Sequence, residues 1–273
     1  MTLSPLPRVM LEPLVRAALL EDLGRAGDLT TDAIVPAAHR AETALVAREP
    51  GTVAGLDLAT LAFQLVEPRI EVAPGDVIAA VRGPARGMLT AERTALNFLC
   101  HLSGIATATA SVVAAVRGHK ARIVCTRKTM PGLRAVEKYA VRAGGGANHR
   151  FGLDDAVLIK DNHVAIAGGI RPAVERARQA VGHLVKIEVE VDNLDQLDEV
   201  LPLSVDAVLL DNMTPEVLAQ GVAQVNGRAI TEASGRITPE TAPAIARTGV
   251  DLISIGWLTH SAAVLDIGLD HRF

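Results

Sequence analysis

KIEVEVDNLDQLDEVLPLSVDAVLLDNMTPEVLAQGVAQV, residues 186–225, sets two short apolar runs against two segments with helical spacing. KIEVEV and DAVLLD read as strands, and residues 194–200 and 215–225 as the helices that follow them. That alternation is the signature of βα units feeding a parallel sheet. The rhythm extends in both directions. ARIVCT and DAVLIK precede it, RAITEAS and LISIG follow, and helices fit residues 133–143, 171–181 and 239–248. Six such units favour closure toward a barrel over an open dinucleotide-binding sheet. Neither GxGxxG nor GxxxxGK[ST] follows the first strand, which removes the usual nucleotide fingerprints. The units differ in length and share no repeated motif, so a solenoid is excluded.

Residues 1–105 have a different, α+β character. MLEPLVRAALLEDLG is helical and stops at Gly24; TALVAREPGTVAGL reads as short strands about a Pro-Gly turn; EVAPGDVIAAVRG reads as another strand and turn. AERTALNFLCHLSGIATATASVVAAV is a long buried helix, or two interrupted near Gly104. The expected division is therefore a first domain over 1–105 and a barrel over 106–261, with residues 262–273 returning to the first domain.

The chain has 273 residues, 49% of them hydrophobic, enough for a substantial core. A net charge of −4 and 2% aromatic residues argue against a nucleic-acid surface, which favours basic faces and stacking rings. Cys100 and Cys125 form neither a zinc cluster nor a disulfide framework and read as buried thiols. The start, MTLSPLPRVM, lacks the charged and apolar regions of a signal peptide. Residues 105–116 are too short a run to span a bilayer, so no membrane is expected and a cytoplasmic location is.

Against this acidic background, residues 122–160 carry eight Lys or Arg and three acids. So concentrated a positive charge suits a small anion. Barrel chemistry collects at the carboxyl ends of strands, and those ends are polar here. They hold Arg127-Lys128, Lys160-Asp161-Asn162-His163, Glu190, Asp211-Asn212, Ser234-Gly235 and Gly256. Arg127, Arg150 and His149 suit carboxylates, because a guanidinium donates two parallel hydrogen bonds; Lys128 and Lys160 suit phosphate as point charges. Ser234, Gly235 and Gly256 end the last two strands, where barrels hold phosphate, and His260 is close enough in sequence to reach it. Glu190 and Asp211 are candidates to hold Mg²⁺ against a polyphosphate, or else to pair with Lys128 and Lys160. Lys186 and Glu188 share a strand face and are expected to pair with each other. Gly144-Gly145-Gly146 either lets main-chain N–H groups approach a ligand or simply caps a helix. His163 is a candidate cap for the segment after it.

TRKTMPGLRAVEKYAVRAGGGANHRFGLDDAVLIKDNH, with IEVEVDN, VLLDNM, EASGRI and ISIGWLTHS, closely resembles the quinolinate phosphoribosyltransferase family. The likeness extends upstream through EDLGRAGDLTTDAIVP, GTVAGL and AERTALNFLCHLSGIAT. It implies an N-terminal α/β sandwich followed by an incomplete, open α/β barrel. It also implies transfer of phosphoribosyl from phosphoribosyl pyrophosphate to quinolinate with decarboxylation, giving nicotinate mononucleotide, pyrophosphate and CO₂. By the same resemblance Arg127, His149 and Arg150 hold the quinolinate carboxylates, and Arg93 joins them from the partner in a homodimer. Lys128 and Lys160 serve the pyrophosphate and substrate anions, Glu190 and Asp211 face the ribose and Mg²⁺, and Ser234, Gly235 and Gly256 cradle the 5′-phosphate. No organic cofactor is implied. Where the family commonly has Ser-Gly-Gly, this chain has Ser234-Gly235-Arg236. The readings this competes with are a related phosphoribosyltransferase with another acidic or heterocyclic acceptor, a Schiff-base aldolase built on Lys160, and a non-catalytic anion sensor.

Overall fold

A computed structural model describes residues 3–74 and 77–271. In chain order the elements are α1 (Arg8–Leu23), α2 (Leu29–Ile34), β1 (Arg40–Ala47), α3 (Leu56–Val66), β2 (Glu71–Pro74), β3 (Ala79–Pro84) and α4 (Ala85–Ala115). There follow β4 (Arg122–Val124), α5 (Arg134–Ala143), β5 (Val157–Ile159), α6 (Asp161–Ala167), α7 (Ile170–Ala180), β6 (Ile187–Val191) and α8 (Leu194–Val200). The chain ends with β7 (Ala207–Asp211), α9 (Pro215–Val225), β8 (Ile230–Ser234), α10 (Ala242–Arg247), β9 (Leu252–Ser254), α11 (Trp257–His260) and β10 (Ile267–His271).

Two compact units emerge. The first comprises residues 1–108, 130–144 and 261–273; the second, 109–129 and 145–260. In the first, four antiparallel strands lie in the order β10-β1-β3-β2. Leu58, Leu61 and Phe63 of α3 are buried, α1 packs on α3, and β1 buries Leu45. The segment after Ala47 is coil leading into α3 and not a second strand, so only the first half of TALVAREPGTVAGL is extended. The turn expected between β2 and β3 falls at residues 75 and 76, and the chain end at 272 and 273; both lie outside the described residues.

Gly104 does not interrupt α4, which runs unbroken for 31 residues. Its role is steric: a Cβ there would stand 2.1 Å from the Ala263 carbonyl oxygen. The missing side chain lets residues 261–265 cross the helix, where the Leu265 N–H donates to the Cys100 carbonyl at 3.1 Å. Beyond this crossing β10 pairs antiparallel with β1. Mean hydropathy along part of α4 reaches 1.6, enough by composition to cross a bilayer. The helix instead buries Met88, Leu96, Leu99, Leu102 and Ile105.

In the second unit all six strands are parallel, in the order β4-β9-β8-β7-β6-β5. The sheet curls toward a barrel but stays open, since among the described residues β4 and β5 do not pair. Each strand is short and alternates. Ile187, Val189 and Val191 of β6 are buried on one face, while Glu188 and Glu190 take the other. Register sets Glu190 level with Leu209, Leu209 level with Glu232, and Asp211 level with Ser234. The polar residues of successive strands thus share one face of the sheet.

Because the obstacle at Gly104 is backbone and not a flexible side chain, Gly104→Ala is expected to destabilise the protein by about 1–3 kcal/mol. The midpoint of chemical denaturation measures this; an unchanged midpoint would remove the close-crossing account.

Candidate active site

The carboxyl ends of the parallel strands open onto two adjoining cavities. One, of about 380 Å³, is lined by Arg127, Lys128, His149, Arg150, Lys160, Glu190, Asp211, Glu232 and Ser234, with Leu158 and Leu209 as apolar wall. The other, of about 450 Å³, is lined by Asn212, Gly235, Arg236, Ile237, Gly256, Trp257 and His260. Thr126, Lys128, Asp211, Ser234 and Ser254 belong to both walls, so the two form one cleft with two lobes. Eleven of the twelve residues predicted from sequence line it. Arg93 does not: it is an exposed residue of α4 in the first unit, in a separate depression with Asn97, His101 and Met130.

The loop from β4 delivers Arg127 and Lys128. It is pinned by the Lys128 N–H donating to Thr126 Oγ1 at 3.0 Å and by the Thr259 hydroxyl donating to the Lys128 carbonyl at 2.7 Å. Gly256 is glycine for a local reason, since a Cβ would stand 2.8 Å from Lys128 Cδ. The Lys128 stem occupies that space.

Arg150 is held by its own loop. The Asp155 carboxylate accepts the Phe151 and Gly152 N–H groups at 2.6 and 2.9 Å, and Arg150 Nη1 donates to the Ala156 carbonyl at 2.9 Å. Burial, and after it the Arg127 charge, lower the pKa of Arg150 from its ordinary value. Two guanidiniums that repel each other in a partly dry cavity are stabilised by an anion placed between them.

Lys160 donates to Glu190 Oε2 at 2.9 Å, and its N–H donates to His163 Nδ1 at 2.9 Å, which caps α6 as expected. Asp211 accepts from Asn212 Nδ2 at 2.6 Å. Glu190 and Asp211 thus end neighbouring strands in the same wall. Gly144 terminates α5, Gly145 takes φ +86°, and none of the three glycines lines the cleft. Of the two readings, they serve the turn.

The expected Lys186–Glu188 pair is absent. Lys186 binds Asp206 at 2.5 Å and is 77% exposed, because it lies just before β6, where strand alternation does not yet apply. Glu188 instead meets His149, Nε2 to Oε2, at 3.0 Å.

Residues 105–270 match the family described as "Quinolinate phosphoribosyl transferase, C-terminal domain", and residues 28–103 match its N-terminal counterpart. The chain belongs to the quinolinate phosphoribosyltransferase family. It is 48% identical over 271 residues to the nicotinate-nucleotide pyrophosphorylase [carboxylating] of Mycobacterium leprae, covering 94% of this chain and 95% of that one. A protein of Bacillus subtilis described as probably the same enzyme is 43% identical, covering 96% and 93%. Among solved structures, the nicotinate-nucleotide pyrophosphorylase from Francisella tularensis superposes with a TM-score of 0.94 at 36% identity, over 100% of this chain and 99% of that one.

In this quinolinate phosphoribosyltransferase chain, sequence reading missed the acids beneath the cations. Glu232 is 1% exposed, and neither carboxyl oxygen has a hydrogen-bond partner among the described residues. His149 Nε2 stands 3.6 Å from it. Its pKa is raised to about 7, first by burial and then by the neighbouring Glu188 charge. The signal was available in strand alternation, which puts Glu232 on the face of Ser234.

The donor atoms of His149, Glu188 and Glu232 lie within 4.8 Å of one another, a spacing that suits a metal ion. The imidazole argues against one. Its Nδ1 accepts the Arg150 N–H at 2.7 Å and so carries no proton, which leaves the ring proton on Nε2, directed at Glu188. A metal on Nε2 would require an imidazolate. His149 instead links the buried acids to the backbone of Arg150.

A carboxyl with a raised folded-state pKa keeps its proton longer than the unfolded chain does. Its contribution to stability therefore falls as pH rises from 4.5 to about 7, then levels. Relative to wild type, Glu232→Gln is expected to gain on the order of 2 kcal/mol between about pH 5 and about pH 8. Denaturation of both proteins across that range measures it, and parallel profiles would contradict the assignment.

Proposed function

We propose that this chain transfers phosphoribosyl from phosphoribosyl pyrophosphate to quinolinate and decarboxylates the product, forming nicotinate mononucleotide, pyrophosphate and CO₂. The observation that carries the reading is the cleft itself: two mutually repelling guanidiniums, Arg127 and Arg150, in one lobe, and a Ser-Gly-lined lobe beside it. The first suits an aromatic dicarboxylate and the second a phosphate. Family membership over nearly the whole chain supports the same reaction.

Arg127 and Arg150 hold the acceptor's carboxylates, with His149 fixing Arg150 from behind. The pyridine nitrogen then attacks ribose C1 as the bond to pyrophosphate breaks. Glu190 and Asp211 stabilise positive charge developing on the ribose, and Lys128 and Lys160 neutralise the departing pyrophosphate. Quaternising the ring nitrogen prepares the second step. The bond from C2 to its carboxylate breaks, CO₂ leaves, and the electron pair stays on C2 beside the positive nitrogen until a proton replaces it. The protein contributes position and field.

Glu190 and Asp211 fit a Mg²⁺ ion, because two carboxylates in one wall, completed by substrate oxygens and water, form a usual Mg²⁺ donor set. Bound there, Mg²⁺ would supply charge compensation for the pyrophosphate. The reading further takes the enzyme as a cytoplasmic homodimer without an organic cofactor, in which Arg93 of each subunit reaches the other's cleft. A Schiff-base role for Lys160 is disfavoured by its ion pair with Glu190, which engages the amine that such chemistry needs as a nucleophile.

Incubation with quinolinate, phosphoribosyl pyrophosphate and Mg²⁺ should yield nicotinate mononucleotide and CO₂. Arg127→Ala and Arg150→Ala are each expected to lose roughly 100-fold in kcat/KM for quinolinate. Near-normal values in both would refute the carboxylate assignment, and turnover only with other acceptors would favour a related transferase. For the shared site, Arg93→Ala and Lys160→Ala should each be inactive alone, while their equimolar mixture regains about a quarter of wild-type activity through hybrid dimers. No regain would place Arg93 outside its neighbour's cleft.

A further inference from the structure

Arg236 is not accounted for by this assignment of roles. It follows β8 in the left-handed region, with φ +46°. The other non-glycine residues there are Ser204, Asn212 and Asn226. Asparagine tolerates that region well; arginine has no such local compensation and carries a strain of about 1–2 kcal/mol. The preceding Gly235, at φ +114°, is held by Asn212, whose Oδ1 would lie 2.3 Å from an added Cβ.

The turn is anchored on both sides. The Asn212 N–H donates to the Ser234 carbonyl at 2.9 Å, and Trp257 Nε1 donates to the Ile237 carbonyl at 2.8 Å. Between these fixed points Arg236 lines the second lobe, exposed, and its guanidinium makes no hydrogen bond or ion pair with any described residue. Lys128 and His260 share that lobe, against the single carboxylate of Asp211. A strained, anchored and uncommitted cation in a cationic cavity is arranged for an anion that arrives from outside.

We propose that Arg236 is a phosphate-binding residue of this chain, whose guanidinium grips the 5′-phosphate monoester of the phosphoribosyl donor beside Ser234, Gly235 and Gly256. The proposal rests on reading the cleft as a phosphoribosyltransferase site, and it adds to that site a residue set by this chain's own turn.

Arg236→Gly separates binding from folding, because glycine relieves the left-handed strain. Its melting temperature is expected to equal or exceed that of wild type. The KM for phosphoribosyl pyrophosphate should rise roughly tenfold, and the affinity for ribose 5-phosphate, measured by calorimetry, should fall by a similar factor. The KM for quinolinate should move less than about twofold. Arg236→Lys, which keeps the charge without the planar fork, should fall between the two proteins. Donor KM and ribose 5-phosphate affinity both within about twofold of wild type would overturn the proposal. If wild type transfers no phosphoribosyl group yet ribose 5-phosphate binding weakens in Arg236→Gly, Arg236 stands as a phosphate ligand and the reaction assignment falls.

Discussion

The site depends on holding Arg127 and Arg150 in the wall of one cavity, where the Arg127 charge acts on Arg150. Surface arginines would drift apart into water. Here Arg150 is fixed through its Nη1 bond to the Ala156 carbonyl, its N–H bond to His149 and the Asp155 clasp on the following loop. The dianion proposed to bind here would relieve the repulsion between the two groups. The affinity so gained is electrostatic and geometric together, because each fork admits a planar carboxylate in few orientations. A shapeless anion would neutralise the charge without satisfying the forks.

Beneath that pair, the short parallel strands impose a layered interior. Residues two apart share a face, so Glu190, which lines the cleft, brings Glu188 below it, and Ser234 brings Glu232. A barrel of ordinary composition fills the lower layer with branched aliphatics. This one places two acids and the edge of His149 there. The buried charge is limited, because Glu232 binds its proton more tightly than an exposed glutamate. What remains is the Glu188 carboxylate, whose partner ring leads back to Arg150. The acids thus support the cations from below without cancelling them.

Local sequence revealed most of this architecture, and the reasons are specific. The strand runs from ARIVCT to LISIG announced themselves by length and flanking polarity, and residues 194–200 and 215–225 matched α8 and α9 end for end. Each of these depends on neighbours in sequence. Failures came where the deciding contact is remote. Gly104 left one helix or two open, because its real partner, the Ala263 carbonyl, lies 159 residues away. Glu188 was assigned to Lys186, two residues off, while its partner His149 stands 39 residues earlier. Glu232 was hidden in AITEA, where an acid in mid-strand has meaning only once the face it shares with Ser234 is known. Helix α6 was missed because KDNH reads as a loop until His163 turns back to cap it. Arg93 lay beyond any strand-end argument and was named by resemblance alone.

The Lys160–Glu190 pair bears on how such a cleft remains stable with no ligand. Lys160 is 47% exposed at the side chain and Glu190 is 14%, so the lysine keeps its hydration while the glutamate is largely shielded. Removing the lysine would strand a mostly dry carboxylate; removing the glutamate would leave a cation water can solvate. The empty site thus needs the lysine more than the glutamate as a partner. Donor binding inverts the relation. In the proposed reaction, pyrophosphate engaging Lys160 would leave Glu190 without its counterion as a cationic ribose begins to form, so that the two uncompensated charges would meet at the bond being broken. Charge released from that ion pair would then be available for transition-state stabilisation, so the proposed roles of Lys160 and Glu190 tie the pairing that stabilises the cleft to the chemistry proposed for it.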